Sequence, residues 1–261
     1  MLYLLQDIKE SDAMRIEIEE LKSELDELNN NHKYKIVTSD YFINYNDSYE
    51  RTWIRDNAIP VGSLEFVQAY LREFHGINHM NPIEIPKCLR LPHLLLRKYK
   101  IIDFEDIPEC GFFFVKDVSR LKGWAYSGDV ARLLHDRTHD KGLVQLSSQL
   151  NILSEYRICV LNNKIVGIQF YDGDPTILPN EHEINRIKEM TLRWSMQADC
   201  PKAYTLDVAV VKTDNEQGRG VALIECHPFV SVGTYGCRGA FLPMMFKLGL
   251  QWYIDHNTQI S

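Results

Sequence analysis

The sequence predicts a mixed α+β fold that opens on a smaller α/β unit, and three observations predict it. Residues 1–90 alternate strand-like and helix-like stretches. Residues 77–93 carry Pro82, Pro86 and Pro92 in extended connecting chain. From residue 100 short β-rich segments follow one another with turn-like or helical pieces between them. At 261 residues, 45% hydrophobic and 25% charged, the composition is that of a globular protein able to bury a sizeable core.

Taken in order, "LYLLQD" reads as a strand and "DAMRIEIEELKSELDELNN" as a helix, because Met14, Ile18, Leu21, Leu25 and Leu28 are spaced 4, 3, 4, 3 and share one stripe. Its acids Glu17, Glu20, Glu24 and Glu27 are expected in solvent. "YKIVTSDYF" reads as a second strand. A second helix starts in "PVGSLEFVQAYLREFHG", with Ser63 as N-cap and Gly76 closing the end. A boundary near residue 90 then separates 1–90 from 91–261.

In the second part the segments "GFFFVKD", "LVQLSSQ", "NILSEYRICVLNNKIVGIQFYDGD", "AYTLDVAVV" and "VALIECHPF" read as strands. Residues 152–161 and 164–171, joined through "NNK", form the clearest hairpin, since Asn tolerates the positive φ of a tight turn. "GAFLPMMFKLGLQWYID" has a helical apolar pattern and is expected to pack as a core helix.

The net charge of −7 argues against a general nucleic-acid-coating surface and leaves room only for a local basic groove. No apolar run approaches the roughly 18–20 residues needed to span a bilayer, and the N-terminus lacks a basic region and a cleavage site, so a cytoplasmic location is expected. The six cysteines contain no CxxC pair, which fits reduced thiols better than a disulfide frame or a zinc site.

The chemistry concentrates in two strands. "AYTLDVAVV" and "VALIEC" flank the turn-like "KTDNEQGRG", and an antiparallel hairpin centred near residue 216 sets Asp207 opposite Glu225. Like charges directly opposite destabilise a sheet unless something positive sits between them. A hard divalent cation such as Mg²⁺, which favours one or two carboxylates plus phosphate oxygens and water, answers the problem; the alternative is two acids at a sheet edge that face water or pair with Lys or Arg. In "SEYRICV", Glu155 and Arg157 share a face by alternation, so Arg157 is placed either to grip phosphate or to pair locally with Glu155. Lys116 leaves the apolar run "GFFFVK" beside the glycine-containing "DVSRLKGWAYSGD", a plausible phosphate clamp that is not the Walker pattern.

In this order the motifs "FFFVKD", "LSEYRICVLNNKIVGIQFYDGD", "LDVAV" and "LIECHPFVSVGTYG" resemble the ATP-grasp superfamily, most closely a small phage and bacterial clade with undefined substrates, over roughly residues 90–245. The resemblance implies two α+β lobes gripping ATP, preceded by an open α/β domain. It implies that Lys116 contacts ATP phosphate, Lys122 lies in a mobile loop over the phosphates, and Gln145 lies near the adenine hinge. Glu155 and Arg157 become nucleotide-site residues, and Asp207 and Glu225 the two magnesium-binding acids. His227 stands where the family commonly has Asn, either as a third metal contact or as a plain turn residue before Pro228. The implied chemistry joins a small-molecule or peptide carboxylate to an amine through an acylphosphate, with ATP and Mg²⁺, and needs no protein nucleophile.

Two other readings stand beside this ligase: a nucleotide-binding regulatory or interaction module without turnover, and an ATP-dependent enzyme acting on a nucleic acid or phosphorylated substrate, which needs a basic groove around Arg120, Lys122, Arg132 and Arg137. Of the spacings His75/His79 and His135/His139, the first contains a helix-ending glycine and the second lacks the glutamate of a zinc protease, so both read as surface histidines. No GxSxG supports a serine hydrolase.

Overall fold

The apolar N-terminal run forms β1 (Leu2–Gln6), with Leu4 and Leu5 fully buried. In the computed structural model, which describes residues 1–28, 33–44, 48–119, 121–137, 140–214 and 218–257, β1 is the middle of a parallel sheet between β2 (Lys33–Val37) and β3 (Ala58–Val61). The strand read in "YKIVTSDYF" stops at Val37. The chain turns into the short helix α2 (Asp40–Ile43), which lets Phe42 pack edge-on or tilted against the rings of Phe66, Tyr70 and Phe74 inside the core.

The helix α1 (Arg15–Glu27) buries Met14, Ile18, Leu21 and Leu25 as its spacing requires. Two of its acids are not solvated. Glu17 accepts the Thr234 backbone N–H at 3.2 Å, and Glu20 accepts the Thr234 hydroxyl and the Arg238 Nε–H, the latter at 3.0 Å. These partners make the burial tolerable, since a buried charge without them is costly. The helix α3 (Ser48–Asn57) leads into β3, and α4 (Leu64–His75) follows. The Ser63 hydroxyl accepts the Phe66 N–H at 3.3 Å, and Gly76, at φ 69°, ends the helix in the left-handed conformation that glycine adopts without penalty.

After the single turn α5 (Pro92–Leu95), an antiparallel sheet is built from β4 (Tyr99–Asp103), β5 (Phe112–Asp117), β6 (Ala125–Asp129) and β7 (Leu143–Ser147) in the order β4-β7-β5-β6. The "AYSGD" end of the glycine-containing stretch after Lys116 is the strand β6. With α6 (Val130–Asp136) this sheet encloses its own core around Val115, Val130, Leu133 and Val144.

The third sheet, also antiparallel, orders β11-β10-β8-β9 from β8 (Ile152–Leu161), β9 (Lys164–Gly173), β10 (Ala203–Lys212) and β11 (Arg219–Pro228). Asn162 and Asn163 make its first turn at φ 47° and 65°, both positive as a two-residue hairpin requires. One face packs on α7 (Glu181–Ser195) through Ile158, Leu206, Val208, Ile187 and Trp194. Asn180 and Glu183 cap α7 reciprocally, and Arg219 of β11 binds both Glu183 oxygens. The last helix, α8 (Leu242–Asn257), returns to the N-terminal core, where Met245, Phe246 and Leu250 join β1, α1 and α4. Among the described residues no helix is long and apolar enough to cross a membrane, and all six cysteines are free.

Candidate active site

The site lies on the face of the third sheet turned away from α7. Gln169, Arg157, Asp207 and Glu225 stand in register across its four strands. The expected pairing of Asp207 with Glu225 is present, although the hairpin is not regular. Nearer the turn, Lys212 faces Arg219 and Val208 faces Leu223; Ile224 is then an extra residue, and the ladder resumes with Asp207 opposite Glu225. This β-bulge puts Glu225 and His227 on the acid face while Leu223 and Cys226 stay in the core below.

The two carboxylates do not face each other unpaired. Asp207, 1% exposed, is held by Arg157 through two parallel hydrogen bonds, Nε–H to Oδ1 at 2.7 Å and Nη2–H to Oδ2 at 2.6 Å. Arg157 also donates to the Gly233 carbonyl at 2.8 Å, and its guanidinium lies 4.9 Å from the ring of Tyr235 and 5.7 Å from that of Tyr171, two rings that stack on each other at 5.1 Å. Burial disfavours its charge, but Asp207 outweighs burial and holds the guanidinium above its ordinary pKa. The local Glu155–Arg157 pair is not formed. Glu155 instead accepts the Tyr171 hydroxyl at 2.6 Å, and burial raises its pKa against that hydrogen bond.

Glu225 is gripped by Lys116 at one oxygen and by His227 Nε2 at the other, the latter at 2.8 Å. Burial works to raise its pKa; His227 and then Lys116 outweigh burial and hold the carboxyl well below the usual carboxylate range. His227 Nε2 also lies 4.0 Å from Asp207 Oδ2. Asp207, Glu225 and His227 offer one donor atom each within 4.8 Å of one another, and among the described residues no other His, Cys, Asp and Glu group of three has this spacing.

Two cavities meet at these charges. One of about 150 Å³ lies between the second and third sheets and is lined by Phe114, Lys116, Gln145, Ser147, Ile224 and Glu225. Another, of about 430 Å³, lies under the N-terminus of α1 against Lys122, Arg157, Glu225, His227 and Tyr235. Lys122, at φ 55°, lines this second cavity. Gln145 sits within β7 directly opposite Lys116, two residues before Ser147 ends that strand.

Several expected residues do not join. Arg132 and Arg137 are spent on Asp136 at 3.7 Å and Asp140 at 2.7 Å, while Arg120 and His139 lie outside the described residues. His75 packs against the Tyr70 ring and His135 is exposed beside Asp136. Sequence reasoning missed Tyr171, Tyr235 and Arg97. The aromatic and glycine run "VGTYG" carries weight in the sequence only as part of a family motif, and nothing local marks Arg97.

Two antiparallel lobes closing on a cavity that a strand lysine and a strand carboxylate enter from opposite sides define an ATP-grasp fold. The chain belongs to a family of ATP-grasp domains, described as family 2 of its clade, whose pattern matches residues 96–242. Solved structures agree in fold. D-alanine–D-alanine ligase from Bacillus anthracis complexed with ATP gives a TM-score of 0.53 at 11% identity, covering 99% of this chain and 97% of that one. The ATP-grasp ligase PsnB, complexed with a phosphomimetic variant of its minimal precursor, Mg and ADP, gives 0.51 at 11% identity, covering 96% and 98%. L-amino acid ligase from Bacillus licheniformis gives 0.51 at 13% identity, covering 97% of this chain and 73% of its own. No curated protein matches the chain in sequence.

Proposed function

We propose that the protein is an ATP-dependent carboxylate–amine ligase. The observation that carries this reading is the convergence of Lys116, Glu225, Asp207, His227 and Arg157 at the junction of two cavities, one between the sheets for a nucleotide and one under α1 for the substrates. Membership of the ATP-grasp family and the ligase folds it resembles support the same class.

The donor set suits Mg²⁺ in kind: two carboxylates supply hard oxygen and His227 one nitrogen, and the buried, unpartnered Ser147 hydroxyl belongs to the lining of the nucleotide cavity. Asp207, Glu225 and His227 would hold the ion, which when bound would neutralise phosphate oxygens. Lys116 would turn from Glu225 towards the phosphates, and Lys122 would close over them. Arg157 has three of its N–H donors committed to Asp207 and Gly233, so its work here is to fix Asp207 and the loop around Gly233, with two donors left for a developing oxyanion. Gln145 and Glu155 would border the nucleotide. In the implied reaction a substrate carboxylate oxygen attacks the γ-phosphorus and ADP leaves. The amine nitrogen then attacks the acyl carbon, phosphate departs with the C–O electron pair, and the amine gives up a proton. Exclusion of water by the lobes protects the acylphosphate.

The substrates of this reading are a small-molecule or peptide carboxylate and amine, and its domain division sets an α/β unit at 1–90 before an ATP-grasp domain at 91–261. Support for the division comes from the separate parallel sheet within residues 2–61 and a family match that begins at residue 96. A second reading, a nucleotide-binding module without turnover, is favoured by one observation: each acid already has a cationic partner, so the site is electrically satisfied without an ion.

The experiment that separates them incubates the protein with ATP, Mg²⁺ and pools of amino acids and peptides, following ADP and product mass. The ligase gives ADP only with a particular carboxylate and amine together. In parallel, Mg-ATP raises the melting temperature of the wild type and not of Asp207→Asn. An unchanged wild-type melting curve at saturating Mg-ATP sinks the nucleotide site itself.

A further inference from the structure

In a regular strand neighbouring side chains point to opposite faces. Ile224 and Glu225 are neighbours, yet both line the cavity between the sheets. The bulge makes this possible, because the extra residue delays the alternation by one step. If the register nearest the turn continued unbroken, Ile224 would stand opposite Asp207, and Glu225 would turn to the far face among Leu206, Val208 and Leu223 under α7. The position of the second acid therefore depends on whatever keeps the bulge in place.

A bulge disrupts the ladder locally and leaves main-chain groups to be satisfied elsewhere. Here the carbonyls on both sides of the irregular step are taken by one side chain. Arg97 donates from Nη1 to the Leu223 carbonyl at 2.6 Å and from Nη2 to the Ile224 carbonyl at 3.1 Å. It lies two residues past the end of α5, and a third contact runs from Nη1 to the Leu95 carbonyl at 3.4 Å. The planar fork fits two adjacent carbonyls as an ammonium could not.

Burial lowers the Arg97 pKa to about 10, which leaves it charged at neutral pH. Among the described residues every hydrogen bond of this half-buried cation goes to a main-chain carbonyl, and the Glu225 carboxylate adds an attraction through space.

We infer that Arg97 is a positioning residue for the acid pair: by clamping the carbonyls of Leu223 and Ile224 it holds the bulge, and the bulge holds Glu225 opposite Asp207. As a metal-site statement it rests on the function proposed above; as a statement about register it does not.

The test uses the full chain, Mn²⁺ as a paramagnetic stand-in for Mg²⁺, and ADP. In Arg97→Met, Mn²⁺ affinity measured by spin resonance with ADP present falls about ten-fold or more, the scale on which loss of a supporting partner weakens a metal site. Affinity for metal-free ADP holds within about two-fold, and the Overhauser contacts between residues 207 and 225 weaken, because Arg97 acts through Glu225. Deleting Ile224 in the Arg97→Met background restores both readouts, since without the extra residue a regular ladder already sets the acid opposite Asp207.

Unchanged Mn²⁺ affinity in Arg97→Met overturns the inference. So does an equal loss of metal-free ADP binding, which makes Arg97 a nucleotide ligand. Failure of the deletion to restore a folded Arg97→Met variant overturns it too, and if Arg97→Met alone does not fold, a deletion that restores folding without the 207–225 contacts does the same. Should the wild type hold no Mn²⁺ with ADP, the nucleotide and metal reading falls, and the clamp is decided by the Overhauser contacts alone.

Discussion

Replacing Arg157 with Met, Asp207 with Leu, and both together gives a cycle whose outcome follows from burial. The Asp207 side chain is 1% exposed and that of Arg157 is 8% exposed, and the pair is joined by two hydrogen bonds of 2.6 and 2.7 Å. Removing either partner strands a charge with little access to water, which costs about 3–5 kcal/mol. Losing both charges avoids that penalty, because apolar groups of similar volume often replace a buried pair without loss. The double variant still forfeits the hydrogen bond to the Gly233 carbonyl, about 1–3 kcal/mol, and the contacts with Tyr171 and Tyr235, about 1 kcal/mol. It is therefore expected to be no less stable than the worse single variant, with a coupling energy of about 3 kcal/mol or more between the sites. Urea unfolding midpoints measured without nucleotide or metal read this directly, and each single variant should melt about 6–20 °C below the wild type. A double variant destabilised by the full sum of the singles refutes the argument.

Further predictions concern α8 and the carboxylates of the site. Gly249→Ala in α8 should destabilise by about 1–3 kcal/mol in thermal unfolding, the reverse of the usual gain of up to about 1 kcal/mol for this change in a helix. The reason is that a Cβ there runs into the Phe229 carbonyl oxygen, and backbone cannot swing aside. Glu225 and Glu155 should bend the stability–pH curve in opposite senses. The Glu225 carboxyl is held below its ordinary value of 4.5, so its contribution is fully present above about pH 4.5 and is lost as pH falls below it; Lys116→Met flattens that acid limb. The Glu155 carboxyl is raised from 4.5, so its contribution falls as pH climbs past 4.5, and Glu155→Gln gains relative stability towards neutrality; a parallel shift at all pH values contradicts this.

The parts legible in the sequence are those decided by neighbours along the chain. The Asn162–Asn163 turn and the Ser63 and Gly76 caps depend on local backbone chemistry and appear where their residues demand. The Asp207–Glu225 pair was legible through symmetry about the turn. That symmetry holds only beyond Ile224, because from Val208 to Lys212 the ladder is one residue out of step with it. The bulge itself has no local signature; the side chain that satisfies it lies 126 and 127 residues away from the carbonyls it binds. Arg157 misled for a similar reason. Alternation puts it on the face of Glu155, but the register of β8 against β10, which hands it Asp207, is a tertiary fact. Glu17 and Glu20 read as solvated because Thr234 and Arg238, more than two hundred positions on, cannot be anticipated from one helix.

The return of α8 to the first strand carries a consequence for the birth of the molecule. Tyr3 donates its hydroxyl to the Pro243 carbonyl at 2.9 Å, and Met245, Phe246, Leu250 and Tyr253 complete the core in which Leu4 and Leu5 are buried. A ribosome delivers Tyr3 240 residues before Pro243. The sheet around β1 thus emerges with one wall missing and waits, its apolar side uncovered, until α8 has left the exit tunnel. Only when this late helix arrives can the early strand finish folding.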